Sequence, residues 1–114
     1  MIKSIKVGPQ KFEVIERKSN EDGMLNDGAY GYTLDNKNLI VLASGLANGK
    51  QQVTLLHEIL HAIRMNYDNL PRPTKEDDFE AWEHYFIAMY EIGLLSVLKD
   101  NPKLVEWLVN EQSN

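Results

Sequence analysis

The first third of the chain alternates apolar and polar residues, which is the period of a β-strand. Phe12 and Val14 would share one side of a strand with Glu13 opposite, so residues 1–18 are expected to form β structure that includes an edge or half-exposed strand. Residues 29–43 also alternate, on both sides of a polar turn, and predict a β-hairpin. The polar stretch between these segments predicts a loop or a short turn of helix.

Later apolar positions recur at helical spacing in three segments. The first helix is expected to begin at Asn48, a candidate N-cap, and to end near Asn66. The second follows Pro73, with Thr74 as its candidate N-cap, and extends to Lys99. Most of its apolar stripe is interpreted as ordinary core packing.

A last, shorter helix is expected from Pro102, which suits a first helical position, to about Gln112. The sequence therefore predicts one α+β domain over residues 1–114. In this domain a small N-terminal antiparallel sheet precedes a first helix, a long second helix and a short C-terminal helix.

The first predicted helix contains an HExxH sequence, His57-Glu58-Ile59-Leu60-His61. Residues four apart lie on one helix face, so the two imidazole rings can reach one metal ion. Neutral imidazole suits zinc, whose catalytic sites have three protein ligands and leave a fourth position for water. Glu58 would lie beside that water as general base. The motif also occurs by chance, but its apolar neighbours would bury these polar groups at a cost unless a metal satisfied them.

A third ligand is expected from the second helix, which carries Glu80, Glu83, His84 and Glu91. Extending the apolar face of Ile87, Tyr90, Leu94 and Val97 back by one turn reaches Glu83, which would then point towards the core. Glu80 and Glu91 continue a more polar face, while His84 lies one step from Glu83 and is chemically a good ligand. Glu83 is therefore favoured, and Glu80 and His84 remain alternatives.

Composition narrows the function classes. The formal net charge is −5, and the seventeen acidic residues are not balanced by a basic stripe, which argues against nucleic-acid binding. The chain has no cysteine, which excludes disulfides and Cys-type zinc fingers and suits a reducing compartment. The N-terminus lacks the apolar core of a signal peptide, and no run approaches the ~20 apolar residues of a membrane span. We therefore expect a cytoplasmic protein without a membrane partner.

The hairpin, the HExxH helix and the later glutamate together resemble the small ImmA/IrrE-like metallopeptidases of bacteria and their phages, a minimal gluzincin type. Residues 30–41 look like the two strands of that family, and residues 52–62 look like its active helix. Residues 83–88 are similar to its E-A-N-x-F-A helix, whose glutamate is the third zinc ligand. The resemblance covers about residues 30–100.

The resemblance implies a zinc metalloendopeptidase in which His57, His61 and Glu83 hold Zn²⁺ and Glu58 is the general base for a zinc-activated water. The expected partner is a protein or peptide substrate, such as a regulator. We expect it to lie along an exposed edge of the strand at 39–42. The alternative is a non-catalytic, protease-like binding module that uses its zinc site structurally. An intact Glu58 favours the enzyme, because a structural site needs no base.

Peptide hydrolysis also requires a group that stabilises the oxyanion. The candidates are Tyr30, Tyr32, Tyr67, Tyr85 and His84, and the sequence does not choose among them. Each tyrosine can equally be a packed aromatic residue with its hydroxyl at the surface.

Overall fold

Four strands form one sheet in the computed structural model, which describes residues 2–110, and the long helices pack on one face of that sheet. The strands are β1 (Ser4–Val7), β2 (Gln10–Arg17), β3 (Gly31–Leu34) and β4 (Leu39–Ala43), in the order β1-β2-β4-β3. Both hairpins are antiparallel, whereas β2 and β4 run parallel. The α+β class, the hairpin at 29–43 and the β structure at 1–18 are confirmed; the latter forms a second hairpin, and the sheet is mixed and not antiparallel throughout.

β4 lies inside the sheet, between β2 and β3. Its residues Ile40 and Leu42 face the helices, while Val41 and Ala43 belong to a second apolar cluster on the opposite face. A strand that is buried on both faces has a continuous apolar sequence, which explains the run at residues 39–42. The expectation that this strand exposes an edge is therefore wrong, and the edge strands are β1 and β3.

The connection from β2 to β3 covers the second apolar cluster and contains the short helix α1 (Gly23–Asn26), in agreement with the predicted loop or helical turn. The Asp22 carboxylate holds this connection in place. It accepts hydrogen bonds from the backbone N–H groups of Met24 and Leu25 at 3.0 and 3.2 Å, and from the hydroxyl of Tyr32 at 2.5 Å. As a result, Leu25 is buried against the sheet.

Three longer helices follow, α2 (Asn48–Tyr67), α3 (Phe79–Asp100) and α4 (Pro102–Val109). α2 ends next to the predicted position, but Ala47 and not Asn48 is its N-cap residue. Pro102 lies in the first turn of α4 as expected, and the predicted end at Gln112 is outside the described residues. Among residues 2–110, none of the helices has both the length and the apolarity needed to cross a membrane.

α3 begins later than its apolar spacing predicts. Asp78 and not Thr74 is the N-cap, and its carboxylate accepts a hydrogen bond from the N–H of Ala81 at 3.1 Å. The indole N–H of Trp82 also donates to the carbonyl of Lys75 at 3.0 Å, which folds the preceding segment back onto the first turn. Asp is at least as good an N-cap residue as Thr. Asp78, the last of three consecutive acidic residues, therefore sets the start of α3 in place of Thr74.

The face of α3 that meets the core agrees only in part with the predicted face. Its buried positions follow a spacing of four and are Tyr85, Met89, Gly93 and Val97. Val97 is therefore confirmed, and Tyr90 and Leu94 pack against the core from partly buried positions, whereas Ile87 is 53% exposed and its predicted core position is wrong. The helix is apolar on most sides. It approaches α2 most closely at Gly93, which has no side chain. A Cβ atom at Gly93 would lie only 2.5 Å from Cγ2 of Ile63.

We predict that Gly93→Ala destabilises the fold, although alanine favours helix by about 1 kcal/mol over glycine. Ile63 is fully buried and cannot move aside, so overpacking should cost about 1–3 kcal/mol and exceed that gain. Denaturant unfolding measures the difference. Gly49→Ala in α2 is the control, because no atom lies within 4 Å of its added Cβ and the variant should be neutral or stabilised. Equal stabilisation of both variants would contradict the close contact.

The Asp22 network predicts a pH dependence of stability. The pKa of Asp22 is lowered, and the hydrogen bond from the Tyr32 hydroxyl is the largest cause. Burial raises the pKa and so opposes this shift. Three further groups lower the pKa, namely the N–H groups of Leu25 and Met24 and the guanidinium of Arg17. This stabilisation is fully present above the unfolded pKa of about 3.9 and is lost as pH falls through the lower folded pKa.

Tyr32→Phe should therefore be less stable than the wild type at neutral pH, and the difference should shrink in strong acid. Denaturant unfolding between neutral and acidic pH measures this. Tyr30→Phe is the control, since Tyr30 is half-exposed and lies outside the Asp22 network, so its effect should not change with pH. A Tyr32→Phe effect that is constant with pH would contradict the assigned contact.

Candidate metal centre

His57 and His61 converge on the exposed face of α2. Their Nε2 atoms are 3.1 Å apart, and their ring centroids are 4.8 Å apart with the ring planes at 72°. Two nitrogen ligands of one tetrahedral zinc lie about 3.3 Å apart, because each Zn–N bond is about 2.0–2.1 Å. The spacing of the two histidines therefore fits a shared zinc ion. The His57 side chain is 65% exposed, so the pair is accessible from solvent.

Glu58 lies beside this pair, on the side of α2 that faces the sheet. It is only 4% exposed, which is unusual for a carboxylate. The hydroxyl of Thr33 in β3 donates to its Oε1 atom at 2.9 Å. Its other oxygen, Oε2, is 3.9 Å from Nε2 of His57. One carboxylate oxygen is thus held by the sheet, while the other faces the histidines.

A groove runs between α2 and β3 past these residues. It consists of two hollows that share Gly31, His57 and Glu58. The hollow towards the start of α2 has a volume of about 290 Å³ and is also lined by Tyr30, Lys50, Val53 and Thr54. The other has a volume of about 260 Å³ and is also lined by Thr33, His61 and Met65. The candidate centre therefore lies in the middle of an elongated depression.

One wall of the groove is the open edge of the sheet. The N–H of Ala43 donates to the carbonyl of Tyr30 at 2.8 Å, and bonded pairs alternate along an antiparallel ladder. The backbone groups of Gly31 and Thr33 therefore point away from β4, towards the groove. The opposite edge of the sheet, strand β1, is partly covered. There the side-chain amide of Asn101 hydrogen-bonds to both the backbone N–H and the carbonyl of Lys6, each at 2.8 Å.

The structure does not bring a third ligand to the histidine pair. Glu83 is exposed, and so is Ile87, the next residue along the helix face that was expected to turn Glu83 towards the core. Oε1 of Glu80 lies 3.8 Å from Nε2 of His84, with both side chains in solvent. Over residues 2–110, no three His, Asp or Glu side chains lie close enough together to hold a metal ion. The ligand role of Glu83 stays a prediction.

The five candidates for the oxyanion stabiliser differ in their distance from the groove and in whether their hydroxyl already has a partner. The Tyr32 hydroxyl bonds to Asp22, and the Tyr85 hydroxyl donates to Asp68. Tyr67 packs against Gly8 and Gly93, away from the groove. His84 is exposed on α3. Tyr30 and Tyr32 each line a hollow that contains His57 and Glu58, but the Tyr32 hydroxyl is already bonded to Asp22, which leaves Tyr30 as the favoured candidate.

Two groove residues were not singled out from the sequence. Thr33 could have been found from the strand alternation, which places it opposite Tyr32 and Leu34 and therefore on the helix-facing side. Lys50 lies two turns before His57, and its Nζ is 4.2 Å from the ring centroid of Tyr30. This contact depends on where the loop before β3 places Tyr30, and the periodicity of a sequence does not predict the position of a loop.

Comparisons with known proteins find no match for this chain. Neither a protein-family model, nor a curated protein, nor a solved structure matches the chain at a significant level. The resemblance to the ImmA/IrrE-like family therefore depends on the motif residues alone.

We predict that Thr33→Val destabilises the protein by about 1.5–3 kcal/mol, because a buried carboxylate loses a charge-assisted hydrogen bond. Denaturant unfolding measures this loss. Thr54→Val is a matched control, since the Thr54 hydroxyl donates at 2.7 Å to the Lys50 carbonyl of its own helix and supports no charge. In a Glu58→Gln background the loss at Thr33 should fall, because the amide is neutral. An undiminished loss there would show that the Thr33 hydroxyl does not support the Glu58 charge.

Proposed function

We propose that this protein is a zinc-dependent metalloendopeptidase that hydrolyses a peptide bond held in the groove between α2 and β3. The observation that carries the proposal is the convergence of the two Nε2 atoms, 3.1 Å apart, beside a buried carboxylate. When bound, zinc would polarise the scissile carbonyl and make water a better nucleophile at neutral pH. His57 and His61 would hold it through their Nε2 atoms.

Glu58 is proposed as the general base. Thr33 fixes Oε1, so Oε2 is the oxygen that faces the histidine pair. In the reaction the water oxygen bonds to the carbonyl carbon, and Glu58 takes the proton that the water loses. The carboxyl group then returns this proton to the amine nitrogen as the C–N bond breaks. A base with one oxygen held and the other facing the reacting atoms needs little reorganisation.

The substrate is proposed to bind as an extended strand against β3. The backbone groups of Gly31 and Thr33 face the groove and can pair with a peptide main chain, as in other cases of β-strand addition. This places the peptide beside β3 and not beside the internal strand at 39–42. A peptide bound at that edge would pass directly over Glu58 and His57, which line both hollows.

Glu83 remains the proposed third ligand, with Glu80 and His84 as alternatives. All three lie in the first turns of α3 and are exposed. Metal sites are often completed only when the metal binds, because binding free energy also orders the ligands. Tyr30, which shares a hollow with His57, is proposed to stabilise the oxyanion.

A second candidate is a non-catalytic binding module that uses the zinc site structurally. The observation that favours it is the open edge of β3, where the backbone groups of Gly31 and Thr33 point away from β4 and can bind a peptide without any chemistry. Such a module would bind a peptide at β3 without cleaving it. Glu58 distinguishes the two functions, because only the enzyme needs it as a base.

Zinc content of the purified chain tests the metal site. We expect one zinc per chain by elemental analysis, retained in Glu80→Ala and lost in His61→Ala and Glu83→Ala. Glu58→Gln should retain zinc but lose peptidase activity by at least about 100-fold, the usual contribution of a general base. Full activity in Glu58→Gln would remove the base assignment. Zinc binding without hydrolysis of any peptide by the wild type would favour the binding module.

A further inference from the structure

A lysine lines the groove at one end of the candidate centre. Lys50 is exposed in the hollow towards the start of α2, and its Nζ is 4.2 Å from the ring centroid of Tyr30. Of the described residues that line the two hollows, Lys50 is the one lysine or arginine and Glu58 is the one carboxylate. Over residues 2–110, no carboxylate forms an ion pair with Lys50. The hollow therefore presents an ammonium group whose charge is not neutralised.

The position of Lys50 does not serve the stability of its helix. It lies in the first turn of α2, which contains no acidic residue. The helix dipole disfavours a positive charge there and favours a negative one. Residues that break a local rule of this kind are often found at functional sites. The Tyr30 ring holds the ammonium at the wall of the hollow, because a cation is attracted to the face of an aromatic ring.

We propose that Lys50 determines substrate specificity by binding a carboxylate of the peptide, on the C-terminal side of the scissile bond. This inference rests on the proposed function, in which a peptide lies in the groove along β3. A glutamate or aspartate side chain and the free C-terminus of a short peptide both supply the carboxylate. A lysine or arginine at the same place in the peptide is repelled by the ammonium of Lys50.

The groove fixes the distance and the direction of this contact. Lys50 precedes His57 by seven residues, or about 10 Å of helix, and an extended peptide covers about 3.4 Å per residue. The carboxylate therefore lies about three residues from the scissile bond. The hollow of Lys50 adjoins Tyr30, whereas the hollow of His61 adjoins Thr33, so β3 runs away from Lys50. Antiparallel pairing is the more stable arrangement, and a peptide antiparallel to β3 runs from His61 towards Lys50.

The first test measures binding without cleavage, in a full-length Glu58→Gln background with zinc present. The probes are dye-labelled, C-terminally amidated peptides of alanine and leucine that carry one glutamate, glutamine or lysine, and fluorescence anisotropy gives their dissociation constants. We expect the glutamate peptide to bind about fivefold more tightly than the glutamine peptide, and added salt to reduce this preference. Lys50→Glu should reverse the preference in favour of the lysine peptide.

Lys103→Glu is the matched control for this binding test. It changes the net charge by the same amount, but Lys103 is exposed on α4, outside the two hollows, so the preference for glutamate should remain. Equal binding of the glutamate and glutamine peptides, or no binding of either, would overturn the proposal. A preference that survives Lys50→Glu would overturn it as well.

The second test maps the bonds that the wild type cleaves in the same peptides, by mass spectrometry. We expect cleavage about three residues before the glutamate. A glutamine peptide with a free C-terminus at that distance should be cleaved faster than its amide if the chain terminus also supplies the carboxylate. Cleavage after the glutamate would overturn the assigned direction. Cleavage without a dependence on Lys50 would contradict this inference alone, whereas Lys50-dependent binding without cleavage would contradict the peptidase and support this inference.

Discussion

The close packing of α2 against the edge strand β3 is the constraint on which the candidate site depends. A Cβ atom at Gly31 would lie 2.9 Å from the carbonyl oxygen of Val41 and 3.0 Å from Cγ2 of Thr54, so only glycine fits this contact without a shift. This approach brings Thr33 within hydrogen-bonding distance of Glu58. His57 and His61 lie on the neighbouring face of the helix, which is exposed. One helix–strand contact thus fixes the position of the proposed base relative to the two accessible histidines.

The sheet topology determines which edge a substrate can reach. β4 is buried on both faces and forms the centre of the sheet, so β3 is left as an edge strand next to α2. At the opposite edge, Asn101 bonds to the backbone of β1. Exposed strand edges invite pairing with another chain. In this protein the open edge lies beside the candidate centre, which is where a peptidase would need it.

Sequence patterns predicted the individual strands and helices well, but they predicted poorly which of these elements pack against one another. Strand alternation and helical spacing identified the hairpin at 29–43, the β structure at 1–18 and the ends of α2, since these depend on local contacts. The position of β4 was missed because pairing order depends on long-range contacts. The buried side of α3 was identified only in part, because Val97 is buried as predicted but Ile87 is apolar and exposed, while Gly93 makes the contact with α2. The HExxH spacing predicted the convergence of His57 and His61, because both lie on one helix, whereas a ligand from α3 depends on tertiary packing.

Whether a third ligand can reach the histidine pair depends on how α3 packs against α2. The Tyr85 hydroxyl donates to Asp68 at the C-terminal end of α2, and Gly93 packs against Ile63. The two helices therefore run antiparallel, and the first turns of α3, which carry Glu83, lie towards the end of α2 and away from His57. Glu83 would reach the histidine pair only if metal binding moved these turns.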